Sequence, residues 1–287
     1  MGKLDGKVAF ITGAARGQGR SHAQLLAEEG ADIVGIDVCR QIGTVGYPMS
    51  TPKDLEETVR LVKKTGRRMV ARQADVRDTA ALSEALAAGQ ARFGRLDIVC
   101  ANAGIMAHQM PPYSKSEQAW QDSIGTMLTG VWNTLRLTAP ILIQGGRGGS
   151  IVITSSTAGL TSKWTTFDGG FDGYTASKFG VVGLMRSYAG RLAQYNIRVN
   201  TVHPTGVATP MVVNAYFPEF MKVHSEVAAR SQNALPVPMV EAVDVSRAVL
   251  YLVSDDGRYV TGSTFTVDAG LTTVAGPDGT ALQSTAP

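Results

Sequence analysis

A short apolar run, Val8–Thr12, passes directly into Gly13-Ala-Ala-Arg16-Gly17-Gln18-Gly19 and then into a helical pattern. Few sequence features restrict a fold more. Glycines at these spacings let the end of a strand turn straight into a helix, and they let another backbone or a ligand come close. The first N–H groups of such a helix point at whatever lies ahead of the turn, which favours an anion such as a pyrophosphate. A turn that merely needs glycine is the plainer reading. Against it stands Asp37, 18 positions after Gly19 (37 − 19), closing a second apolar run, Asp32–Asp37. A carboxylate there accepts hydrogen bonds from an adenosine ribose and repels a 2′-phosphate, so NAD is expected over NADP. Arg16 argues the other way, because a guanidinium in the loop can pair with a phosphate. Asp37 is given the greater weight.

The rest of the chain repeats the strand–helix alternation. Apolar runs at Met69–Gln73, 97–101, 150–154, 198–203 and Thr264–Val267 read as strands. Helical patterns fall at 17–29, after Thr51-Pro52, at Thr79–Phe93, 118–137, 174–194, 219–230 and 243–252. Thr51 is placed as an N-cap with Pro52 at the first helical position. The pattern predicts an α/β fold: one Rossmann-like, doubly wound domain over residues 1–272, with about seven parallel strands covered by helices on both faces. Residues 38–52 form a cofactor-side insertion, 204–238 a substrate loop and 273–287 a tail. No linker divides the 287 residues, and 44% apolar content supports a sizeable core.

Composition removes several functions. A net charge of +3 without a dense basic stripe argues against nucleic acid. No signal-like or membrane-length apolar segment is evident, so a cytoplasmic protein is expected. Cys39 and Cys100 suggest no disulfide framework. The four histidines form no metal pattern. His22 is read as a surface residue, His203 as a hydrogen-bonded core histidine, and His108 as structural more than substrate-facing. Trp120 and Trp132 are read as core or interface.

The chemistry is concentrated in the second half. Tyr174-Thr-Ala-Ser-Lys178 places a phenol and an ammonium four residues apart, on one face of a helix. The cation is expected to lower the phenol's pKa and make it a usable general acid/base. Ser156, in Thr154-Ser-Ser156-Thr-Ala-Gly159, is placed to hold a substrate oxygen beside it.

With the glycine loop and Asn102-Ala103-Gly104, this constellation resembles the short-chain dehydrogenase/reductase family from about Lys7 to Thr272. The resemblance implies that Ser156, Tyr174 and Lys178 are catalytic, with Tyr174 and Lys178 also among the cofactor contacts and Lys178 on the nicotinamide ribose. It implies that Asp75 and Val76 meet adenine and that Asn102, Ala103 and Gly104 line the cofactor. Gly13, Arg16, Gly17, Gln18, Gly19, Asp37, Pro204, Gly206, Val207 and Thr209 complete the implied cofactor contacts. Two departures stand out. Met127 occupies the position where the family commonly carries an asparagine that supports a proton relay; Thr126, Thr129 or bulk water are the candidates to replace it, and Asn133 lies too far along. The segment between Ser156 and Tyr174 is also longer than usual by roughly five residues, which suggests an aromatic substrate-side loop over 160–173 or a plain surface insertion.

Asp37-Val-Cys39-Arg40, the 47–52 run, residues 70–77 and His203-Pro-Thr-Gly206 are similar to the mycofactocin-associated, carveol-dehydrogenase-like branch. That likeness implies an alcohol dehydrogenase for secondary, often terpenoid, alcohols, a homotetramer, and tightly bound NAD recycled by an external redox partner. A 3-oxoacyl or steroid reductase and a weakly active NAD-binding sensor or scaffold are the alternatives.

Overall fold

The structure is a computed structural model and describes residues 2–161, 168–229 and 231–274. Seven strands form one parallel sheet: β1 (Val8–Thr12), β2 (Asp32–Asp37), β3 (Met69–Gln73), β4 (Ile98–Ala101), β5 (Gly149–Thr154), β6 (Ile197–Pro204) and β7 (Thr264–Val267). Their order is β3-β2-β1-β4-β5-β6-β7. The connecting helices are α1 (Gly17–Glu28), α2 (Pro52–Lys64), α3 (Thr79–Phe93), α4 (Ser116–Ile124), α5 (Gly130–Gly145), α6 (Gly169–Leu192), α7 (Tyr216–Val223), α8 (Ser225–Ala229), α9 (Ala242–Val253) and α10 (Leu271–Val274).

Side chains alternate across the sheet, so neighbours in one strand serve different cores. Phe10 packs with Val34, Leu135, Ile151 and Met185 under α3, α5 and α6. Ile11 packs on the opposite face with Leu26, Ile33, Val152 and Val249 under α1 and α9. Phe10 and Ile11 are both fully buried, and burial of each such side chain contributes about 1.5–3 kcal/mol. The chain reverses its direction of strand addition between β1 and β4. A crevice opens there at the carboxyl ends of the strands, where Gly13 and Asn102 sit.

Several elements differ from the sequence reading. The segment expected over 118–137 starts at Ser116, passes through a π-helical turn at Gly125–Thr129, and continues past Pro140 to Gly145. The helix carrying Tyr174 begins at Gly169, and the Asp168 side chain caps it by accepting from the Gly170 N–H at 3.1 Å. Residues 169–173, expected in a loop, are therefore helical; residues 162–167 of that loop and the tail beyond 274 lie outside the described residues. The 204–238 loop holds two short helices, α7 and α8. Thr51 and Asp54 form the expected start of α2 as a full capping box. Trp120 and Trp132 are 37% and 45% exposed, so neither belongs to the core.

His22 is not on the surface. It is fully buried between α1 and α9, with Nδ1 2.8 Å from Ser246 Oγ. Burial pushes its imidazole down to about 4, and burial together with the nearby His224 pushes His108 down to about 3. Both are neutral in the native protein, whereas the unfolded chain protonates them near pH 6.5. The unfolded state therefore binds more protons below that pH, and native stability falls as pH drops. The loss is expected to reach roughly 2 kcal/mol per histidine by pH 5. Urea unfolding at pH 7.5 and 5 measures it; His22→Gln should remove part of the difference, and an equal midpoint at both pH values contradicts the assignment.

Candidate active site

The glycine loop is shaped by contact as well as by backbone angle. Gly13 and Gly17 have φ of +71° and +54°. A Cβ on Gly19 would lie 2.0 Å from the Gly13 carbonyl oxygen, and one on Gly13 would lie 3.0 Å from Ala103 Cα. The loop thus presses against Asn102-Ala103. Thr12 Oγ1 secures that contact by accepting from the N–H groups of Asn102 and Ala103, both at 3.0 Å. Asn102 Nδ2 donates back to the Thr12 carbonyl at 3.1 Å, and its Oδ1 accepts from Thr154 Oγ1 at 3.2 Å. Arg16, the N-cap of α1, places no side-chain oxygen on the first turn, which leaves those amides turned to the cleft.

Gly13, Arg16, Gly17, Gln18, Gly19, Asp37, Asp75, Val76, Asn102, Ala103, Gly104 and Thr209 all line one cleft. Asp37 is buried at its rim. Its carboxylate accepts from Ala15 N–H (3.0 Å), Cys39 N–H (3.1 Å) and Ser50 Oγ (2.6 Å). Asp75 is held by Arg77 and Arg40. Burial alone would raise its pKa, but the hydrogen bonds from Arg77, its charge and the Arg40 contact bring it below the ordinary value. Two buried polar atoms facing this cleft, Gln18 Oε1 and Thr126 Oγ1, have no hydrogen-bond partner among the described residues. A glycine cradle, uncapped amides, a carboxylate at the far rim and two unsatisfied oxygens suit a dinucleotide.

A second pocket adjoins the first through Gln18, Thr209 and Met211. Ser156 and Tyr174 stand in its wall, with Pro204, Gly206 and Val207. Met106, Phe171, Val212, Phe217, Phe220 and Met221 make it largely apolar, and its described lining holds no Asp, Glu, Lys or Arg. The Ser156 and Tyr174 side chains line the same pocket, and Ser156 interacts with the Tyr174 phenol in the sense that lowers its pKa. Lys178 is buried, and its Nζ donates to the Thr154 carbonyl at 2.8 Å. His203, in the core as expected, has Nδ1 2.8 Å from the Ser156 carbonyl and Nε2 2.8 Å from Thr201 Oγ1. A carbonyl only accepts, so Nδ1 carries the proton and Nε2 accepts from the threonine. His203 therefore pins the backbone of Ser156.

The expected lowering of the Tyr174 pKa by Lys178 does not occur. Burial raises the phenol, and the Ser156 interaction only partly opposes this. The ammonium lies 5.4 Å from the ring centroid and is committed to Thr154, while burial lowers Lys178 itself to about 8. The phenol is consequently held in its protonated form near neutral pH.

Met127 is buried in an apolar cluster with Ile42, Val45, Tyr47 and Ile105. Asn133 is bound to the Val76 carbonyl at 3.1 Å and Thr129 is exposed, whereas Thr126 faces the cofactor cleft. Met127→Asn would bury an amide among these apolar side chains, so a stability loss of about 1–3 kcal/mol is expected, with turnover preserved. Thermal melts and steady-state rates check this. A folded variant with lost activity would mean that Met127 packing shapes the site.

Sequence reasoning missed the residues of the insertion and of α7. Ile42, Tyr47, Met49 and Ser50 line the cofactor cleft. Phe217, Phe220 and Met221 line the second pocket at i, i+3 and i+4 spacing, a helical signal hidden within a segment dominated by loop. Phe171 does wall the apolar pocket, but from a helix rather than a loop; His108 stacks on it with ring centroids 3.6 Å apart.

A seven-stranded parallel sheet with this cleft and this serine–tyrosine–lysine cluster defines an oxidoreductase, and the chain belongs to the short-chain dehydrogenase/reductase family. The family model described as enoyl-(acyl carrier protein) reductase matches residues 13–272. An uncharacterised oxidoreductase of Mycobacterium tuberculosis is 53% identical over 269 residues, covering 93% of this chain and 97% of the relative. A (−)-trans-carveol dehydrogenase of Rhodococcus erythropolis is 46% identical over 280 residues, covering 95% and 99%. The crystal structure of carveol dehydrogenase from Mycobacterium avium, in complex with NAD, matches with a TM-score of 0.87 at 47% identity, covering 95% of this chain and 99% of that one. No helix among the described residues is long and apolar enough to cross a membrane, and no described His/Cys/Asp/Glu cluster suits a metal ion.

Proposed function

We propose that the protein is an NAD-dependent alcohol dehydrogenase that interconverts an uncharged, cyclic secondary alcohol and its ketone. One observation carries the reading: Ser156 and Tyr174 stand together in the wall of an apolar pocket that adjoins the cofactor cleft. A charged substrate would lose its hydration there without a partner of opposite sign. The likeness to carveol dehydrogenases supports a terpenoid-sized ring.

In this reading the Tyr174 hydroxyl exchanges a proton with the substrate oxygen, and Ser156 Oγ orients that oxygen. Lys178 Nζ, anchored on the Thr154 carbonyl, holds the nicotinamide ribose. NAD, when bound, takes or returns the hydride. Asp37 receives the adenosine ribose, Asp75 and Val76 meet adenine, and the amides after Gly17 meet the pyrophosphate. Exposed Trp120, Trp132 and Phe179 supply apolar surface for a homotetramer.

The insertion lines the cofactor cleft through Ile42, Tyr47, Met49 and Ser50, its own Ile42, Val45 and Tyr47 are buried, and in this reading it folds over the bound nucleotide. Release of the nucleotide then waits on opening of this cover. Purified protein is expected to keep NAD or NADH through extensive dialysis, and free NAD alone is expected to support little oxidation of carveol or related cyclic alcohols. An artificial electron acceptor should restore turnover, standing in for an external redox partner. Heat denaturation followed by nucleotide quantification decides retention. An empty site with many turnovers on free NAD would overturn it, and no oxidation of any cyclic secondary alcohol under either regime would overturn the substrate class.

A further inference from the structure

The insertion and α7 serve different pockets, yet they touch. Residues 42, 47 and 49 face the cofactor cleft, whereas Phe217, Phe220 and Met221 face the substrate pocket. They meet at Gly46 and Tyr216. A Cβ on Gly46 would lie 2.4, 2.6 and 2.7 Å from Cε2, Cζ and Cδ2 of the Tyr216 ring. Gly46 does not have a positive φ, so the close approach of the ring, not the backbone, is what excludes a side chain.

Both partners are fastened to one intervening segment, residues 105–110. Tyr216 Oη donates to the His108 carbonyl at 2.7 Å. The Met106 N–H donates to Tyr47 Oη at 3.2 Å, and Gln109 Nε2 donates to the Thr44 carbonyl at 2.8 Å. His108 stands edge-on to Tyr174 at 5.8 Å and stacks on Phe171. Tyr216 itself lines neither pocket.

We propose that Tyr216 is a positioning residue that latches the cofactor cover to the substrate-pocket helix, so that nucleotide leaves only when α7 lifts. The proposal rests on the reading of the first cleft as an NAD site. By linkage, filling the apolar pocket and holding α7 down slows nucleotide release.

The test is the release rate of NADH from preloaded full-length protein, followed by fluorescence during a chase with excess NAD. Tyr216→Ala is expected to release NADH about 10-fold faster, having lost a part-buried hydrogen bond and a ring contact. Tyr216→Phe, which keeps the ring on Gly46, should show a smaller increase. Gly46→Ala should also speed release by pushing the ring away, and this effect should vanish in the Tyr216→Ala background. A general loss of packing would instead leave the two effects additive. Unchanged release in folded Tyr216→Ala, or a Gly46→Ala effect that persists without the ring, overturns the latch. Failure of wild-type protein to bind NADH at all would sink the functional reading instead.

Discussion

Replacing Tyr174 with phenylalanine is expected to lower turnover by roughly 10²–10⁴-fold, the range that general acid–base groups supply. The substitution removes one hydroxyl and keeps the ring. Tyr174 lines the substrate pocket and not the cofactor cleft, so NADH binding should be unchanged. The interaction with Ser156 is lost with the hydroxyl, but Ser156 Oγ keeps its 3.2 Å bond from the Ala158 N–H and its backbone keeps His203. The serine should therefore stay in place, and the loss should appear in the chemical step. Single-turnover kinetics with preloaded cofactor, beside an NADH titration and a melting curve, separate the possibilities. If binding falls along with the rate, Tyr174 holds the site together through its packing against His108. If the rate survives, another group moves the proton and the mechanism is wrong.

The sheet was legible because most of its strands are short apolar runs, with β1 followed by Gly13, β2 ending on Asp37 and β7 followed by Asp268. Both β2 and β7 fall at the residues expected, and β1 ends at the glycine that turns it into α1. The α6 start was not legible, and the reason is steric. Gly169-Gly170 and Gly173 look like loop residues because glycine is a poor helix former. Here they let α6 close onto its neighbours. A Cβ on Gly170 would lie 2.2 Å from the Ala107 carbonyl oxygen, and one on Gly173 would lie 2.8 Å from Ser123 Cβ. His22 was misread for a different reason: its partner Ser246 is 224 positions away, and no local pattern marks such a pair. Within the site, spacing placed the phenol and the ammonium on one helix but did not reveal that the Thr154 carbonyl claims the ammonium. The insertion was readable as lying near the adenosine end, because it follows Asp37 directly. Its contact with α7 depends on a glycine meeting a ring 170 positions on (216 − 46), which only the folded chain brings together.

Removing the charge of Asp37 is expected to shift the preference between the two cofactors by about 10²-fold towards NADP. A carboxylate and a 2′-phosphate about 4 Å apart repel by up to roughly 4 kcal/mol per pair of charges at an effective dielectric of 20, and reorganisation recovers part of this. The choice of substitution matters, because the Asp37 carboxylate also accepts from Ala15, Cys39 and Ser50. Asp37→Ala leaves those three donors unpaired and loosens both the glycine loop and the insertion. Asp37→Asn keeps one acceptor oxygen and removes only the charge. Asp37→Asn should therefore weaken NAD modestly and improve NADP, whereas Asp37→Ala should weaken both while still favouring NADP in relative terms. Arg16 stands in the same cleft, its guanidinium 5.9 Å from the centre of the Tyr47 ring. Once the carboxylate charge is gone, it becomes the natural partner for the extra phosphate, and Asp37→Asn combined with Arg16→Ala should lose most of the gain. Binding titrations of both nucleotides to protein freed of bound cofactor measure the ratio. A wild-type protein that already prefers NADP, or a ratio unmoved by Asp37→Asn, would mean that Arg16 governs the choice and that Asp37 serves to hold the loop.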